Sequence, residues 1–74
     1  MGKQESRVLQ FIQEYGSITS LEAFKELGIT RLSARIHTLR HKRGFNILAK
    51  SETFKNRFGE PVRYYRYYLP EDEE

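Results

Sequence analysis

The chain has 74 residues, a net charge of +3 and no cysteine. That length suits one domain with a single continuous core. The absence of thiols excludes a disulfide framework and a thiolate metal site, and the short apolar runs exclude a membrane-spanning helix. Charge is unevenly spread: residues 31–70 carry ten Lys and Arg against Glu52 and Glu60, and Glu71, Asp72, Glu73 and Glu74 follow. A basic second half is the electrostatic footprint of a polyanion partner, although a solvated basic face has the same composition. The first residues lack the hydrophobic stretch of a signal peptide. Gly2 and Ser6 fit the loose myristoylation pattern, for which an ordinary start is the simpler account.

Val8, Leu9, Phe11, Ile12 and Tyr15 recur at helical spacing and predict a first helix over about residues 5–15, ended by Gly16. Ser17-Ile18-Thr19 leaves room for one bridge of sheet, with Ile18 as its core candidate. Thr19-Ser20-Leu21-Glu22 reads as a capping box, in which Thr19 and Glu22 satisfy each other's backbone amides. The helix behind it carries Leu21, Phe24 and Leu27 as its apolar stripe and closes at Gly28. Thr30 is the expected N-cap of a third helix running to about Arg43, with Leu32, Ile36 and Leu39 facing the core and Gly44 as the stop. Two helices joined by Gly28-Ile29-Thr30 are the sequence form of a helix-turn-helix.

Beyond Gly44 the period changes. Phe45–Thr53 and Pro61–Leu69 are rich in aromatic and β-branched residues and read as two strands, joined by a loop over Phe54–Glu60. Alternation groups Tyr65, Tyr67 and Leu69 on one face, expected inside, and Tyr64, Arg66 and Tyr68 on the other. The expected fold is therefore α+β: helix, short strand, two helices, then a β-hairpin. The domain should cover residues 1–70, with 71–74 a disordered acidic tail.

At 100° per residue, the third helix presents Arg31, Ala34, Thr38, His41 and Lys42 away from its core stripe, with Arg35 and His37 on the flanks. This is where a helix-turn-helix offers side chains to base edges in the major groove. Arg31 and Arg35 suit guanine, Thr38 suits a thymine methyl or a hydrogen bond, and small Ala34 permits close approach. Thr30 and the first-turn amides suit a phosphate. Arg40 and Arg43 project nearer the core, where a structural role is at least as well supported. At the hairpin tip, Lys55, Asn56 and Arg57 suit phosphate contact, and Arg57 also suits a minor groove. Phe54 and Phe58 either fold back on the hairpin or stand out as anchors.

Catalysis finds no support, since hydroxyl residues are explained by caps and turns and no histidine pairs with a buried acid. His37 and His41 have a metal-compatible spacing without a third ligand nearby in sequence, so neither metal nor cofactor is expected. The tyrosines at 64, 65, 67 and 68 suit base stacking, but also ordinary sheet packing.

The runs Ile18-Thr19-Ser20-Leu21-Glu22-Ala23, Leu27-Gly28-Ile29 and Arg31-Leu32-Ser33-Ala34-Arg35-Ile36-His37-Thr38-Leu39-Arg40 resemble a family of short phage-associated helix-turn-helix proteins. Arg66-Tyr67-Tyr68-Leu69 is similar to the aromatic end of that family's second wing strand. The resemblance covers residues 6–69 and implies a winged-helix fold with DNA binding in a phage or prophage setting. It adds weight to Arg31 and Arg35, and excludes the acidic tail. The expected function is sequence-specific binding of double-stranded DNA by a transcriptional regulator or architectural factor, in the cytoplasm and on the nucleoid of a bacterial host. A homodimer or partner protein would extend the short site that one domain reads; no membrane or small-molecule substrate is expected. The alternative is a protein-interaction module acting on a host or phage complex.

Overall fold

The computed structural model describes residues 2–70. Helix α1 spans Lys3–Tyr15 and ends at Gly16, whose φ of 91° is open to a residue without a Cβ. Strand β1 is Ile18–Thr19, and α2 follows over Ser20–Leu27. The capping box is formed: Thr19 Oγ1 accepts from the Glu22 amide, and Glu22 Oε1 accepts from the Thr19 amide at 2.9 Å. Helix α3 is Leu32–His41, and the chain then forms β2, Leu48–Lys55, and β3, Pro61–Tyr68. These strands and β1 make one antiparallel sheet in the order β1-β3-β2. Ile18 pairs with Tyr67 and Thr19 with Arg66, so the short β1 completes two pairings.

The core is one cluster of Val8, Ile12, Ile18, Ala23, Ile29, Leu32, Ile36, Leu39 and Ile47. Two helices contribute their apolar period: Val8 and Ile12 from α1, and Leu32, Ile36 and Leu39 from α3, as their spacing predicts. Two apolar expectations fail. On α2 it is Ala23 that is buried, whereas Leu21 is 66% and Phe24 58% exposed. The capping box and the short link to β1 set the rotation of this helix, and Ala23 lets it approach the core. Tyr15 lies outside the core, its ring 4.7 Å from that of Phe11.

Other boundaries move for identifiable reasons. Thr30 is not the cap of α3; Arg31 occupies that position without a side-chain cap. Burying both Ile29 and Leu32 stretches the residues between them, so the helix begins one residue late. Its end comes at His41 rather than Arg43. Gly44 takes a φ of 78°, and the Phe45 amide donates to the Leu39 carbonyl at 3.0 Å. That bond, and burial of Ile47, keep residues 45–47 out of the expected strand. At the other end of β2, Phe54 pairs with Val62 and Lys55 with Pro61, shortening the loop to residues 56–60. Of the face expected inside, Tyr67 and Leu69 pack against the core while Tyr65 is 48% exposed. The hairpin outruns the helices, so only its root has a core to meet. The expected acidic tail, 71–74, lies outside the described residues.

Candidate nucleic-acid interface

Helix α3 buries one stripe and leaves the other to solvent. Arg31, His37, His41 and Lys42 are exposed, and among the described residues none of them enters an ion pair. The His37 and His41 rings lie one turn apart with centroids 4.4 Å from each other. Ala34 and Thr38 between them are half-buried, and Thr38 Oγ1 donates to the Ala34 carbonyl at 3.1 Å. The Thr38 proton is thus engaged within the helix. Thr30 is exposed beside the first turn.

Arg35 departs from its expected role. Its Nη1 donates to Glu5 Oε2 at 2.8 Å, with the Glu5 side chain 8% exposed and that of Arg35 32%. Glu5 falls on the buried stripe of α1 with Val8, Leu9 and Ile12, where an unpaired carboxylate would bear its full desolvation cost. The guanidinium is drawn inward to it, and its Nε is buried with no partner among the described residues. Arg35 therefore joins α3 to α1 instead of reaching outward. Glu5 is a site residue that the sequence signals only indirectly: an acid at the first position of the apolar period 5, 8, 9, 12 needs a cation.

Arg40 is structural too. Its Nε donates to the Ile47 carbonyl at 2.8 Å, and its guanidinium carbon stands 5.9 Å from the centre of the Tyr67 ring. It thereby ties the end of α3 to the root of the hairpin.

The hairpin register divides its side chains into two faces. One holds Ala49, Ser51, Thr53 and Lys55 opposite Tyr67, Tyr65, Arg63 and Pro61. Its root is Tyr67, beneath Arg40, so this face continues toward α3. Lys55 and Arg63 are exposed on it and unpaired among the described residues. Sequence alone does not separate Arg63 from the other strand cations, Lys50 and Arg66, because strand position without register does not reveal a face.

The other face holds Leu48, Lys50, Glu52 and Phe54 opposite Tyr68, Arg66, Tyr64 and Val62. Arg66 Nε donates to Glu52 Oε1 at 3.1 Å, and its Nη1 donates to Ser17 Oγ at 3.1 Å and lies 3.7 Å from Glu22 Oε2. Hydrogen bonds from Tyr64 and then Arg66 hold the Glu52 carboxyl below its ordinary value. Bonding to Glu52 raises Tyr64 and Arg66 in turn. Above this network, Phe54 and Tyr64 pack edge to face at 5.7 Å and, with Leu21, line an apolar groove of about 470 Å³.

At the tip, Asn56 is a loop organiser instead of a contact residue. Its Oδ1 accepts from the Phe58 and Glu60 amides at 2.9 and 3.0 Å, and its Nδ2 donates to Glu60 Oε1 at 3.0 Å. Arg57 and Phe58 stand exposed at the apex. No helix among the described residues is long and apolar enough to cross a membrane, and no group of three metal-ligating side chains occurs among them.

Comparison with curated proteins and with solved structures returns no match. The family comparison does: residues 3–72, spanning every helix and strand above, match the winged helix-turn-helix domain, and the chain belongs to that family.

Proposed function

We propose that this protein binds double-stranded DNA sequence-specifically, with the outward face of α3 in the major groove and the hairpin wing on the phosphate backbone. The observation that carries this reading is the exposed set Arg31, His37, His41 and Lys42 on α3, with no ion pairs among the described residues. The Arg40–Tyr67 contact sets the end of α3 beside the root of the wing face that bears Lys55 and Arg63. Arg31 is the principal base reader, with the Thr38 methyl and Ala34 lining the approach. Thr30 and the first-turn amides meet a phosphate, as do Lys42, Lys55 and Arg63, while Arg57 reaches the minor groove. Arg35 and Asn56 leave this set, since both are engaged internally.

The biological setting that follows is a phage or prophage regulator or architectural factor in the bacterial cytoplasm, acting as a homodimer or with a partner on its site. Mobility-shift titrations against duplexes selected from a random pool test the reading. About four cationic contacts, from Lys42, Lys55, Arg57 and Arg63, give a fall in affinity of roughly 150-fold between 50 and 200 mM salt. Absence of any selected duplex, or salt-independent binding, overturns it.

A second reading, a protein-interaction module, is favoured by the groove of Leu21, Phe54 and Tyr64, whose first two members are 66% and 53% exposed. Partner capture that survives nuclease and is lost in Leu21→Glu supports it; capture lost on nuclease treatment removes it.

A further inference from the structure

Phe58 is 77% exposed, more than Leu21, Phe24, Phe54 or Tyr15. Its neighbour in composition, Phe54, rests on Tyr64, so the hairpin does offer an apolar shelf. Phe58 does not use it. The loop beneath Phe58 is fully tied: besides the three Asn56 side-chain bonds, the Asn56 amide donates to the Glu60 carbonyl and the Gly59 amide to the Asn56 carbonyl, both at 2.9 Å. Gly59, at φ 79°, closes the turn where a Cβ would strain it. The Phe58 ring thus stands exposed on an ordered backbone. Lys55 and Arg57 precede it in the chain and Arg63 follows on β3, all three exposed, while the Glu60 carboxylate accepts from Asn56.

From this placement we infer that Phe58 is a wedge that enters between base pairs from the minor groove, unstacking one step and bending the duplex, while Arg57 beside it occupies the groove. The inference rests on the DNA-binding reading and deepens it. Charge selects the occupant: an exposed ring flanked along the chain by cations fits a polyanion with stacked apolar interior, which is duplex nucleic acid. Apolar wedges of this kind kink DNA by roughly 20–90°, and electronegative narrow grooves attract arginine. The ordered loop matters because the backbone that carries the ring needs no further ordering on insertion.

The test uses the full chain and a selected duplex of about 30 base pairs, end-labelled for energy transfer, with the fluorescent base aminopurine substituted along it. The wild type is expected to shorten the end-to-end distance and brighten aminopurine at one step. Phe58→Ala should lose both signals and about tenfold in affinity, with an unchanged melting temperature because the residue is exposed. Phe58→Leu, still an apolar wedge, should keep the bend, and Arg57→Ala should weaken binding while keeping it. Equal bending by wild type and Phe58→Ala, or a wild-type complex with straight DNA, overturns the wedge and leaves the DNA-binding reading standing. A wild type that binds no duplex overturns both.

Discussion

The two faces of the wing carry two cations each, Lys55 and Arg63 on one, Lys50 and Arg66 on the other. They differ in what surrounds those charges. Around Arg66 stand Glu52, Glu22 and Ser17, which hold its guanidinium in a fixed network beside an apolar groove. Around Lys55 and Arg63 no acid lies within ion-pair reach among the described residues. The same contrast recurs on α3, where Arg35 is bound to Glu5 while Arg31 is exposed. Positive charge stays free for a partner only where the fold withholds a carboxylate. In the other places it is a fastener.

The largest effect should come from stripping the open side. The combined Lys55→Ala, Arg57→Ala and Arg63→Ala variant is expected to lose about 10²–10³-fold in DNA affinity at 0.1 M salt, and the salt slope should fall by about 3. An unchanged slope would mean that the wing does not meet phosphates.

The two arginines of α3 should then separate in kind. Arg31→Ala should cost about 1–3 kcal/mol of specific binding with stability preserved. Arg35→Ala should instead lower unfolding free energy by about 1–3 kcal/mol, because it strands the Glu5 carboxylate. Denaturant titration distinguishes them, and adding Glu5→Gln to Arg35→Ala should recover part of that loss. Stability unmoved in Arg35→Ala would refute the fastening role.

On the closed side, Arg66→Ala should lower the melting temperature by roughly 4–8 °C, the shift a domain of this size shows for about 1 kcal/mol, while leaving the salt slope unaltered. A reduced slope would place Arg66 on the DNA.

The smallest effect concerns acid. Glu52 is held below its ordinary value of 4.5 in the folded chain. Its contribution to stability is therefore present above that value and lost as pH falls through the lower folded value. Wild type should lose its advantage over Glu52→Gln in melting experiments carried below about pH 4.5. A difference independent of pH would show that the Glu52 charge is not what matters.

Much of the architecture is legible along the chain. Helix ends at Gly16 and Gly28, the Thr19–Glu22 box, the α3 core stripe and the existence of the two strands all follow from local chemistry. These features depend on residues a few positions apart, so their physics is contained within the segment. Less could be read of the interface. Arg31 and Arg35 are alike in sequence, four apart on one helix, and only the approach of α1 hands one of them to Glu5, thirty positions away. Asn56 likewise has the composition of a contact residue until the loop closes around it. The rotation that hides Ala23 and exposes Phe24 needs its neighbours in place, and so does the register that puts Arg63 beside Lys55. Sequence alone determined where the chain turns and which stripe seeks the core. Tertiary structure decided which charges remain available, because a carboxylate far along the chain acts on an arginine only after folding brings them within a few ångströms.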